Sequence, residues 1–183
     1  MSERTAIAWT HSTFNPWQGC TRVSEGCRFC YAEAGTRRFG LSVWGDAPRR
    51  LTSSARWRNP LTWNLEAERT GTRRRIFCGS WCDVFEDHPV AEANRPRLWD
   101  LISRTPALDW LLLTKRPDRI AAALPSAWGA GWPNVWLGTS IEAPAVLHRA
   151  DSLRSIPAAV RFLSCEPLLE PLDGLNLSSI DWL

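Results

Sequence analysis

The sequence predicts an α/β fold, on three observations. Short runs rich in β-branched and aromatic residues alternate with helical segments, in the order strand, helix, strand, helix. Two of these runs, WLLL at 110–113 and VWLG at 135–138, are almost continuously apolar, as parallel strands buried on both faces must be. The length of 183 residues, with 44% hydrophobic and 22% charged, suffices for one core and is short for two. Parallel strands joined by right-handed crossovers leave two architectures open: an open doubly wound sheet, or a partial or full barrel.

Taken in order, strands are expected at 6–9, 76–79, 110–114, 135–139 and 161–164, with a sixth beginning at Asp181. Helical periods occupy 31–39, 91–104, 117–123 and 145–155. The second of these sets Leu98, Leu101 and Ile102 on one side, pairs Asp100 with Arg104 four residues on, and is stopped by Pro106. Residues 40–59 lack a period and read as a loop or a small helical insertion. The last residues, SSIDWL, read as the opening of a strand, so the expected domain spans 1–183 with an incomplete C-terminal end.

Composition narrows the setting. The opening MSERTAIAWT carries no charged-then-apolar leader, and the longest apolar run is far too short to cross a bilayer, so a cytoplasmic protein without a membrane partner is expected. Six cysteines there read as reduced thiols or metal ligands, not as a disulfide framework. The net charge of +3 hides an asymmetry: residues 1–75 hold 13 basic and 6 acidic residues, the remainder 9 and 13. Of the 22 basic residues only Lys115 is lysine, which reads as the base composition of the gene. Arg73, Arg74 and Arg75 form a cluster that fits a nucleic-acid contact or a solvated lead-in to a strand. The twelve tryptophans are scattered without the spacing of a base-stacking platform, and are expected in the core and its rim.

The chemistry concentrates in GCTRVSEGCRFCYAE, where Cys20, Cys27 and Cys30 follow a C-x6-C-x2-C spacing ahead of the first helix. Thiolates so close together repel unless they share a cation, and sulfur ligands select zinc or an iron–sulfur cluster. Structural zinc takes four protein ligands, and Cys78, Cys82, Cys165, His11, His88 and His148 are the available fourth donors. Cys78 and Cys165 read as buried strand thiols, and His11 as following the first strand. Three thiolates on a [4Fe–4S] cluster leave one iron open to an incoming ligand, a catalytic arrangement.

The blocks NPWQGC, SEGCRFCYAE, FCGSWCDVF, LLLTKRP, NVWLGTSIE and RFLSCEPLLEPL, running from Ile7 to the end, resemble the radical S-adenosylmethionine superfamily. More narrowly they resemble a phage-associated radical-SAM-like family with a three-cysteine motif and no settled substrate. The resemblance implies a partial (β/α) TIM-like barrel, truncated at its sixth strand. It implies a [4Fe–4S] cluster on Cys20, Cys27 and Cys30, with Phe29 as the aromatic residue before the third cysteine. The superfamily's usual spacing is C-x3-C-x2-C, so this loop is three residues longer.

S-adenosylmethionine is then the implied cofactor, bound where polar groups follow the strands. Gly79, Ser80 and Asp83 are expected around its amino group, Lys115 at its carboxylate, and Ser140, Glu142 and Glu166 at its ribose. The implied partners are an electron donor for the cluster and an undetermined, nucleic-acid-linked substrate. Two other readings compete: a zinc-binding module that contacts nucleic acid through its Arg-rich half, and a relative that keeps the fold without the chemistry.

Overall fold

A computed structural model describes residues 5–183. Its strands are β1 (Ser12–Phe14), β2 (Trp17–Gln18), β3 (Arg50–Leu51), β4 (Arg74–Cys78), β5 (Leu108–Thr114), β6 (Val135–Ser140) and β7 (Val160–Ser164). Its α-helices are α1 (Tyr31–Arg38), α2 (Ser54–Trp57), α3 (Asn59–Thr70), α4 (Pro89–Ser103), α5 (Ile120–Ala123) and α6 (His148–Arg154). Five parallel strands form the main sheet in the order β1-β4-β5-β6-β7, and β2 pairs antiparallel with β3 in a two-stranded ribbon.

The main strands follow one another in chain order, so successive crossovers advance in one direction. Right-handed crossovers then place the helices on a single face, which sets aside the doubly wound alternative. The two edge strands β1 and β7 do not pair, and the sheet is not closed into a barrel.

The helix-covered face carries the main core. Ile76, Trp110 and Val135 are in register across three strands, as are Cys78, Leu112 and Leu137. They pack with Leu98 and Ile102 of α4, Trp63 of α3 and Leu153 of α6. Helix α4 begins at His88, whose Nδ1 accepts from the Val90 amide at 3.1 Å, and tolerates Pro96 inside it. From the same helix the buried Arg95 donates to the carbonyls of Val84 and Glu86, fixing the segment after β4.

Aromatic residues cover the opposite face. Trp9 stacks on Phe77 with ring centroids 4.6 Å apart, and Trp182 contacts both Trp136 and Phe162 at 5.8 Å. Gly138 makes this possible, because a Cβ there would run into the Phe162 ring from the neighbouring strand. Among the described residues six of the twelve tryptophans are buried.

Three expectations need correction. The first strand is Ser12–Phe14, not 6–9, because Trp9 turns onto the sheet face while Ser12, Thr13 and Phe14 take the ladder beside β4. The expected sixth strand is a single bridge between Trp182 and Phe162, supported by the Asp181 carboxylate accepting from the Arg161 amide at 2.7 Å. Helix α3 starts where the aperiodic segment ends, with Pro60 in its first turn and Gly71 at φ +64° closing it. No helix among the described residues is long and apolar enough to cross a membrane.

Candidate functional site

The cysteine loop leaves β2 through Gly19, whose φ of +111° and whose contact with the Val43 carbonyl leave no room for a side chain. Its amide donates to the Trp81 carbonyl at 2.9 Å, which sets Cys20 beside the segment that follows β4. Cys27 ends a short 3-10 turn, Glu25–Cys27, and Cys30 is the N-cap of α1. The Cys30 thiol makes no capping hydrogen bond, so it is not spent on the helix. All six cysteines are free thiols.

Cys20, Cys27 and Cys30 line one cavity of about 150 Å³ at the carboxyl ends of the parallel strands. Gly79, Ser80 and Asp83 face it after β4, Lys115 and Arg116 after β5, and Ser140 at the end of β6. Cys82 lines it as well. A wider cleft of about 620 Å³ adjoins it, sharing Cys27, Cys30, Phe77, Leu113, Lys115 and Ser140 as common wall. Trp9, Phe29, Tyr31 and Leu169 give that cleft apolar surface, and Glu166 lies on its exposed rim.

A network of buried charges holds the floor in place. Arg49 and Glu86 form a bidentate pair with bonds of 2.7 and 2.9 Å, both side chains shut off from solvent. Arg116 donates to Asp83 at 2.8 Å, to the Thr21 carbonyl at 2.5 Å and to the Cys20 Sγ at 3.5 Å. Arg49 also reaches the Thr21 hydroxyl at 2.8 Å. Two guanidinium groups therefore fasten the start of the cysteine loop to the strand ends. The Cys20 thiol is pushed up to about 12, first by burial and then by the Asp83 carboxylate, with Arg116 opposing. Cys82 and Cys78 are raised still further by burial.

Glu142 does a second fastening job. Buried after β6, it accepts from the Ser24 hydroxyl and, at 2.8 Å, from Arg149, and the Lys115 Nζ lies 3.9 Å away. Gly26 passes so close that a Cβ would lie 2.8 Å from the Glu142 side chain. The residue read as a ribose ligand is thus committed to the cysteine loop. Asp83 is likewise committed, accepting from Thr114 and Arg116. Ser80 exchanges hydrogen bonds with Asn15, and its carbonyl accepts from Tyr31 at 2.8 Å. Gly79, at φ +96°, turns the chain tightly where a Cβ would meet the Cys82 carbonyl at 3.1 Å. Phe29 is 87% exposed, with the Arg28 guanidinium 5.3 Å over its ring.

Several candidates lie elsewhere. His11 precedes β1 instead of following a strand, so it sits at the amino end of the sheet, accepting from the Arg75 amide at 2.9 Å. Burial and the neighbouring Arg75 and Arg74 lower its pKa. Arg73 and Arg74 stand at the same end, paired with Asp109 and Glu66. Cys165 lines a separate pocket with Trp9 and Trp182, and His88 is used as a helix cap.

The family model described as a protein of unknown function, DUF5131, matches residues 4–183. The chain belongs to this family. No curated protein and no solved structure matches it. The matched span of this DUF5131 chain takes in the cysteine loop and every strand-end segment around it.

Among the described residues, no group of three or more His, Cys, Asp or Glu side chains converges so as to hold a single metal ion. A structural zinc needs such convergence, since one ion bonds all its ligands. A cubane cluster spreads its thiolates over separate irons, so its ligands surround a volume instead of meeting at a point. Three uncommitted thiols around one small cavity, with no disulfide between them, fit the second donor pattern. The sequence reading missed Thr21, Ser24, Arg49 and Glu86 in this DUF5131 site. Nothing in the aperiodic 40–59 segment signals that Arg49 turns inward, since its partner lies 37 residues further on.

Proposed function

We propose that this DUF5131 protein is a radical S-adenosylmethionine-type iron–sulfur protein, with Cys20, Cys27 and Cys30 holding a [4Fe–4S] cluster and the parallel sheet forming part of a (β/α) TIM-like barrel. The observation that carries the reading is the shared cavity: three thiols from one loop open onto the carboxyl ends of parallel strands, beside a larger, mainly apolar cleft. When bound, the cluster supplies the electron that splits S-adenosylmethionine reductively.

The chain's own residues bind, orient and exclude water. Lys115, in the wall common to both cavities, offers its ammonium to the methionine carboxylate. Gly79, lacking a Cβ, lets the ligand approach the backbone, and the Ser140 hydroxyl and Glu166 carboxylate are available to sugar hydroxyls. Trp9, Phe77, Leu113 and Leu169 give an apolar wall that keeps water from the reacting centre. Arg116 and Glu142 act as positioning residues, holding the ends of the cysteine loop. The substrate is proposed to be nucleic-acid-linked, on the strength of the Arg-rich N-terminal half alone. A reducible cluster and free thiols suit the reducing cytoplasm.

The test is anaerobic incubation of the cluster-loaded protein with dithionite and S-adenosylmethionine. Release of 5′-deoxyadenosine, lost in Cys30→Ala, is the expected result. A loaded cluster that releases none would reduce the protein to a fold without this chemistry.

A further inference from the structure

Cys20 stands in the wall of two cavities. One is the small cysteine cavity, and the other is a groove of about 540 Å³ on the flank of the molecule. The groove runs between the cysteine loop, α1 and the segment 40–45, and shares no residue with the wide apolar cleft. It therefore reaches the thiols from a side that a ligand in the wide cleft does not occupy. Trp44 belongs to the wall of both the groove and the cysteine cavity, anchored through its indole N–H to the Thr36 hydroxyl at 2.6 Å.

The rim of this groove is basic. Arg22 and Arg37, both largely exposed, share the single buried carboxylate of Glu33 through bonds of 2.8 and 2.6 Å. Two guanidinium groups on one carboxylate leave a net positive charge. Arg38 adds another, exposed and with no carboxylate partner among the described residues. Next to them Phe39, which caps α1, presents an exposed ring packed only at its edge against Trp81, 6.4 Å between centroids. Arginine around an exposed aromatic is the composition of a protein interface, and the sign of the charge selects an acidic partner.

We propose that this flank docks an acidic one-electron carrier protein of the flavin or iron–sulfur type. The proposal rests on the cluster reading. In the transfer, the reduced carrier loses one electron and the iron–sulfur centre held by Cys20, Cys27 and Cys30 gains it, with no bond made or broken. Cys20 and Trp44 are the thin wall between the docked carrier and that centre, while the wide cleft stays free for the small-molecule ligand.

The experiment measures binding of a flavodoxin, an acidic flavin carrier, to the full chain by calorimetry at low and at physiological ionic strength. The test variant is Arg37→Gln/Arg38→Gln, in which Arg22 still holds Glu33. The control, Arg69→Gln/Arg104→Gln, removes two charges from α3 and the end of α4. The expected result is salt-sensitive binding, weakened about tenfold in the test variant and unchanged in the control. In cluster-loaded protein the same test variant slows reduction by flavodoxin by a similar factor and leaves reduction by dithionite unchanged. Absence of binding at low salt, or equal binding by the test variant and wild type, overturns the proposal. So does tight binding of inorganic pyrophosphate by the groove in place of the carrier. Carrier binding through Arg37 and Arg38 to a chain that takes up no iron would support the docking surface and remove the cluster reading, so the two fail separately.

Discussion

At the scale of single residues, the state of the Cys20 thiol follows from what surrounds it. Burial removes the solvation a thiolate needs, Asp83 opposes a second negative charge, and Arg116 at 3.5 Å offsets only part of this. In the metal-free protein the thiol is neutral at physiological pH, and only a cation bound to sulfur would draw off its proton. Alkylation of Cys20 by iodoacetamide in metal-free protein should therefore rise with pH toward about 12 instead of levelling near 9, where an ordinary thiol would. The linkage has a definite sign. A thiol whose pKa is raised by folding contributes stability that is complete below the unfolded value near 9 and is lost as pH climbs through about 12. Mass-spectrometric labelling at fixed times checks this, and rapid alkylation of Cys20 at neutral pH would contradict it. The sequence placed Cys20 correctly next to the site, but burial and the approach of Asp83 across 63 positions leave no trace in local spacing.

At the scale of elements, the cysteine loop is held by contacts from segments distant in the chain. Its start is tied by Arg49 and Arg116, its middle by Glu142 through Ser24. The Arg49–Glu86 pair is the most buried of these, so removing one partner strands the other as an uncompensated charge. Arg49→Met or Glu86→Leu alone should lower unfolding stability by about 3–5 kcal/mol, while the double variant should lose less than either single change. Urea unfolding measures all three; additive losses would show that the pair is not a coupled unit. Strands β4 to β7 were legible because their residues are apolar on both faces, and α4 because its apolar stripe repeats. Strand β1 was not, because STF is short and half polar, and its place is fixed by the ladder with Ile76, Phe77 and Cys78. Helix α3 carried its signals, Pro60 and Gly71, but its weak amphipathic pattern gave no period to match them.

At the scale of the whole molecule, chain-ordered parallel strands bring their carboxyl ends to one edge, and the cysteine loop, inserted after β1, lands on that edge. This is why residues from 20 to 140 share a cavity. The blocks that carried the resemblance are the segments at those strand ends, so the location of the site was legible, although the roles of Asp83 and Glu142 were not: a motif shows which residues gather, and only the packing shows which carboxylates are already taken. The charge asymmetry has its physical counterpart in the exposed arginines of α1 on the flank beside Cys20, while Arg73 and Arg74 are neutralised at the far end of the sheet. The central claim is that three thiols surround one iron–sulfur centre. Its most direct test is anaerobic reconstitution with iron and sulfide, followed by metal analysis of wild type and Cys27→Ala. The account predicts about four irons per chain in the wild type and their loss in the variant; tightly held zinc with no uptake of iron would contradict it.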